Sequence, residues 1–130
     1  MEETGWTRRD CFRQEEAEGR NVFRIYVREL LLHLGITPNY IGYFYLIDAL
    51  EMAVEEPQRL LLVTKLIYPE VARHHDVSAQ AVERCLRTVA ETAWRTNPEL
   101  LQRIAGHPLC GRLNVSSLLA VLACELAAGV

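Results

Sequence analysis

Apolar side chains return every three or four positions along most of this chain, and no stretch alternates for the length of a strand. Asn21 is a suitable N-cap. After it Val22, Ile25, Tyr26, Leu30 and Leu34 recur at helical spacing, and Gly35 is a helix stop. Thr37-Pro38 reads as an N-cap followed by an N1 proline. Ile41, Phe44, Tyr45, Ile47, Leu50 and Val54 then outline a second helix ending near Glu56-Pro57. Pro57 suits a helix start better than an interior. The pattern predicts a short apolar helix over Leu60–Ile67, another over Pro69–His75, and a long one over Ser78–Arg95. Asn97-Pro98 stops that helix and starts a short one reaching about Ile104. Gly106, Pro108 and Gly111 make Gly106–Arg112 rich in turns. Asn114 or Ser116 caps a last helix, Ser117–Ala127. The expected fold is all-α, a compact bundle of six to seven helices with short loops.

Residues 1–20 break the pattern. They hold four arginines and six acids with no sustained apolar period, and read as a charged N-terminal arm. The domain proper is expected over residues 21–130. With 130 residues, 50% hydrophobic and 24% charged, the chain suits one globular domain and not a disordered one. The longest stretches without a charged residue or histidine, Ile36–Ile47 and Leu113–Cys124, are too short to span a membrane. No apolar leader opens the sequence, so a cytoplasmic location with reduced thiols is expected. Cys11, Cys85, Cys110 and Cys124 form no CxxC pair, and no metal or other cofactor is expected.

The formal net charge of −3 at first sight disfavours a nucleic-acid partner. Its distribution changes that picture. Residues 1–64 carry a net −4, residues 65–112 a net +2, and residues 113–130 a net −1. The positive segment contains Pro69–Arg87, PEVARHHDVSAQAVERCLR, which resembles a helix-turn-helix. In that motif two helices cross steeply, so a small residue is needed where they touch. Ala72 occupies that place, preceded by Val71. Four residues later the chain must turn, and Asp76 tolerates the left-handed conformation better than most residues. Val77 is expected to point inward and to staple against Val82 across an N-cap made by Ser78.

The second motif helix sorts its residues. Val82, Leu86, Val89 and Ala93 fall on one side, with Gln80, Arg84, Arg87 and Glu91 opposite and Glu83 flanking. Arginine bonds guanine O6 and N7, glutamine pairs with adenine, and glutamate accepts from cytosine N4. Gln80, Glu83, Arg84 and Arg87 are therefore candidate base readers on double-stranded DNA. Arg73, His74, Ser78, Arg95 and Arg112 are candidate phosphate contacts. The plainer alternative is a solvated helix face carrying a Glu83–Arg87 pair four residues apart, worth a few tenths of a kcal/mol.

The chain also resembles a known family. From about Leu30 to Leu126, roughly three-quarters of its length, it is similar to the DNA-binding effector domain of the stage-zero master regulator of sporulation in endospore-forming bacteria. The resemblance rests on GITPNYIGYFYLIDAL (residues 35–50), TKLIYPEVA (64–72), VERCLR (82–87) and AETAW (90–94), in order and near the family's spacing. It implies a winged-helix-like, all-α DNA-binding domain of about six helices. Such a domain places its recognition helix, here about residues 78–95, in the major groove, binds a short box often as tandem dimers, and contacts RNA polymerase.

Carried over residue by residue, the resemblance matches Glu83, Arg84 and Arg87 to base-reading positions. Arg73 and His74 stand for two lysines, Gln80 for a serine, Ala81 for an arginine, and Arg112 lies near a basic residue before the last helix. It implies the last helix as a dimer surface. The family's full-length regulator carries a receiver domain, and residues 1–29 are too few for one, so control by phosphorylation is not expected. The second functional expectation is a receiver-less interaction module that modulates the full-length sporulation regulator or RNA polymerase without strong DNA binding.

Other candidates are weaker. His74 and His75, being adjacent on a helix, are expected to point about 100° apart and not to chelate one ion together. Glu55-Glu56 reads as solvated charge at a helix end. The cluster of Tyr40, Tyr43, Phe44 and Tyr45 reads as core, with base stacking as its alternative. Leu118, Leu119, Val121, Leu122 and Leu126 make the last helix apolar on more than one side, for burial alone or burial with dimerisation. No nucleotide-loop, nucleophile-elbow or metalloprotease motif is present, and enzymatic activity is not expected.

Overall fold

The computed structural model describes residues 22–129. The expected arm (1–20) and the Asn21 cap lie outside the described residues. Seven α-helices and one 3₁₀ helix occur among the described residues, with no strand. They are α1 (22–33), α2 (Ile41–Glu55), the 3₁₀ helix Pro57–Leu62, α3 (Val63–Leu66), α4 (Tyr68–His75), α5 (Ala79–Thr96), α6 (Pro98–Ala105) and α7 (Val115–Gly129). The all-α expectation holds.

The first helix buries Val27 and Leu31; of the expected stripe, Leu34 just past its end is buried, Tyr26 and Leu30 are partly buried, and Val22 and Ile25 are exposed. Two stripes of helical spacing run through this leucine-rich segment, and tertiary packing takes the one rotated by about a residue. The stop is as expected. Gly35 adopts φ +80°, its N–H donates to Leu32 O, and Ile36 N–H donates to Leu31 O, closing the helix end in a Schellman arrangement. Thr37 does not cap α2. Residues 37–40 instead form a turn in which Tyr40 N–H donates to Thr37 O, and Tyr40 stands at the N-cap position. Pro38 therefore presets a turn position.

The second helix is the hub, packed against α5 and α7. It buries Tyr43, Tyr45, Leu46, Ala49 and Leu50, whereas Ile41 and Phe44, expected on its apolar stripe, are exposed. The aromatic cluster is therefore divided, with Tyr43 and Tyr45 in the core and Phe44 at the surface. Gly42 faces α5 so closely that a Cβ there would lie 2.7 Å from Cys85 O and 2.6 Å from Val89 Cγ2. The expected Leu60–Ile67 helix is instead split between the 3₁₀ turn and α3, and Leu61 is left 83% exposed. The last helix is capped by Asn114, whose Oδ1 accepts from Ser117 N–H at 2.8 Å. It buries Leu118, Leu119, Leu122 and Leu126 and turns Ser116, Ala120, Cys124, Ala127 and Ala128 outward.

Candidate nucleic-acid interface

Helices α4 and α5 pack directly on each other. Their junction forms as the residues require. Val71 and Ala72 are buried at the contact, and Asp76 ends α4 at φ 54°, the sole positive-φ residue other than glycine among the described residues. Val77 N–H donates to Ala72 O at 3.0 Å, returning the chain toward α5. Ser78 Oγ accepts from Ala81 N–H at 3.1 Å, so the expected cap is in place. Val77 is a correction: it is 36% exposed rather than inward-pointing. The close return to Ala72 already fixes the turn, and Val82 is buried without relying on an inward Val77.

The second motif helix separates its faces as its spacing predicts. Val82, Leu86, Val89, Ala90 and Ala93 are buried, and Thr92, also buried, donates to Thr88 O at 3.0 Å. Gln80, Arg84, Arg87 and Arg95 are exposed and Glu83 and Glu91 half-exposed. The outward face of α5 is thus a continuous polar surface of about five turns.

Three of the five candidate arginines are occupied. Arg87 Nη2 bonds Glu83 Oε1 at 3.0 Å, the local pair anticipated from their spacing. Arg73 bonds both carboxylate oxygens of Glu70, at 3.3 and 2.8 Å. This holds the Glu70 carboxyl below its usual range, chiefly through the hydrogen bond, and raises the Arg73 guanidinium through the same bond. Arg112 Nε lies 3.0 Å from Glu91 Oε1. Arg84 and Arg95 have no ion-pair partner among the described residues.

Beneath the outer face sits Tyr68, 4% exposed at the start of α4. Burial, the largest cause, and the Glu83 charge together push its phenol from 10.0 up to about 12, with Arg87 opposing. The phenol therefore feels the Glu83–Arg87 pair from the core side. Sequence reasoning passed over it as part of the TKLIYPEVA run.

The histidines are arranged differently from the expectation. Although adjacent on α4, both reach one oxygen of Asp48 on α2: His74 Nδ1 at 2.8 Å and His75 Nε2 at 3.3 Å. His75 also meets the Tyr45 ring edge-on, at 4.9 Å between centroids. Rotation of the two imidazoles lets them converge where the Cα–Cβ directions alone diverge. His74 thus ties the end of α4 to α2 and is less free than an open phosphate contact. Among the described residues no group of three His, Cys, Asp or Glu is placed to hold a metal ion. The same histidines line one end of an open groove of about 1030 Å³ between α1 and α2, floored by Ile36, Tyr43 and Ile47.

The family model for "Sporulation initiation factor Spo0A C terminal" matches residues 27–126. The chain belongs to this family. The match runs from within α1 to the last buried leucine of α7, so it takes in α2 to α6 entire and all but the start of α1 and the end of α7. In this sporulation-factor C-terminal domain the helix-turn-helix lies centrally, braced by α2 from behind. Among the described residues, no helix is long and apolar enough to cross a membrane.

Proposed function

We propose that the chain is a sequence-specific, DNA-binding transcription regulator of the sporulation-effector type, acting in the cytoplasm. Family membership supports the coarse reading, a DNA-binding effector domain and not an enzyme. The observation that carries the finer one is Arg84, exposed and unpaired among the described residues, in the second turn of a capped helix presented by a left-handed turn. The α5 helix enters the major groove, where Arg84 reads guanine and Gln80, Glu83 and Arg87 read neighbouring bases. Arg95, Ser78 and the outlying Arg73, His74 and Arg112 hold the backbone.

Selection of bound duplexes from random DNA, followed by fluorescence anisotropy across a salt series, tests this reading. The expected result is one enriched box bound at least tenfold more tightly than scrambled DNA. Equal binding by wild type and an Arg84→Ala, Arg87→Ala double variant overturns it.

A second reading has its own support in the exposed Leu61, Leu62 and Leu66, large apolar side chains outside the motif. In this reading the domain docks on the full-length sporulation regulator or on RNA polymerase and modulates it. A pull-down in which Leu61→Glu changes nothing removes that support. Dimerisation through α7 involves the small outward residues Ser116, Ala120 and Cys124 and is checked by sedimentation with Ala120→Glu.

A further inference from the structure

The charge on the DNA-facing side is largely spent internally, and one of its pairs differs in kind from the others. Arg73–Glu70 and Arg87–Glu83 are local pairs, three and four residues apart on one helix. Arg112–Glu91 is tertiary. It joins the Gly106–Asn114 connection before α7 to the outward face of α5, one turn beyond Arg87. Both partners are partly exposed, at 37% and 47%. Such a pair is weak and exchangeable, worth about 0.2–1 kcal/mol in water. A phosphate approaching that end of α5 therefore competes with Glu91 for the same guanidinium.

We infer that Glu91 is an affinity-setting residue of the DNA interface, whose carboxylate masks Arg112 from the phosphate backbone. The inference rests on the DNA-binding reading above. In the free protein Arg112 is neutralised by Glu91 and adds little to the positive field. Engaging a phosphate costs the ion pair and leaves a carboxylate beside the DNA backbone, where like charges repel. The wild type thus binds more weakly, and with a flatter salt dependence, than its count of arginines implies. Discrimination falls to the base contacts of α5, since backbone contact is rationed equally over all sequences.

The test is a double-mutant cycle on the full chain, read by anisotropy with the selected duplex between 50 and 200 mM salt, over which the Debye length falls about twofold. Glu91→Gln is expected to bind roughly two- to fivefold more tightly at the lower salt, the ion-pair energy expressed as a ratio. Its log–log salt slope should steepen by about 0.9, one more phosphate neutralised. In an Arg112→Gln background the same substitution should lose most of that gain. An equal gain in both backgrounds means that Glu91 acts by general repulsion and overturns the inference. Weaker binding by Glu91→Gln also overturns it, since the carboxylate would then be presenting Arg112 to DNA. If neither wild type nor variant binds any duplex, the DNA-binding reading itself fails. Circular dichroism melting of each variant shows whether a change in binding reflects loss of fold.

Discussion

Tyr68 shows how a buried side chain outside the polar face bears on the site. Its phenol is raised to about 12, so the folded state favours the neutral form. The sign follows from linkage: stability from this group is complete below the unfolded value of 10.0 and is lost as pH rises through the folded value. A shift of this size corresponds to about 2–3 kcal/mol. Urea midpoints of wild type should therefore fall between pH 10 and 12 more steeply than those of Tyr68→Phe. Parallel curves would show that the phenol carries no such linkage. Gly42 bears on the site through sterics instead. A methyl group at this position meets the α5 backbone at Cys85 O, which cannot rotate away. Gly42→Ala should cost about 1–3 kcal/mol, as overpacking does, and should lower the urea midpoint without changing the m-value. Neither effect is visible in the local sequence, because each depends on what another helix places opposite the residue.

At the scale of elements, legibility followed the locality of the cause. Caps and stops are local, and Gly35, Ser78, Asn97 and Asn114 all act at or beside the helix ends where spacing put them. The division of α5 into two faces was equally plain, since its apolar residues leave one arrangement. Helices α1 and α2 were read less well. Each is apolar enough to offer two stripes, and the chosen one depends on neighbours; Phe44 and Ile25 ended up outside. Thr37-Pro38 has the composition of a helix start but forms a turn, a competition between two uses of the same dipeptide. The motif turn lends itself to a direct test. Asp76 is left-handed at φ 54°, where a side chain other than Asn or Asp is strained. Asp76→Gly should be neutral or stabilising by up to about 1 kcal/mol, and Asp76→Val destabilising by at least about 1 kcal/mol. Thermal melting of the pair checks the order, and the reverse order would mean that the Asp76 side chain, not its backbone, holds the turn.

For the whole molecule, the question is how an acidic chain engages a polyanion. The total of −3 is unevenly placed, with residues 65–112 positive, and this was legible from counting. The internal pairing of that positive charge was only half legible. Glu70–Arg73 and Glu83–Arg87 have the spacing of helical neighbours. Glu91–Arg112 is created by the fold, which brings the connection before α7 against α5. The salt dependence of DNA binding integrates all of these. Three freely available phosphate-contacting arginines, Arg73, Arg95 and Arg112, would give a log–log slope of about −2.7, and one would give about −0.9. Of these three, Arg95 alone has no ion-pair partner among the described residues, so the wild-type slope is expected nearer the shallower value. A slope of about −2.5 or steeper, measured with the selected duplex, would mean that the carboxylates surrender their arginines at no cost. A shallow slope combined with strong preference for one box would instead place the discrimination on the α5 base contacts, where Arg84→Ala should cost about 1–3 kcal/mol while leaving the slope nearly unchanged.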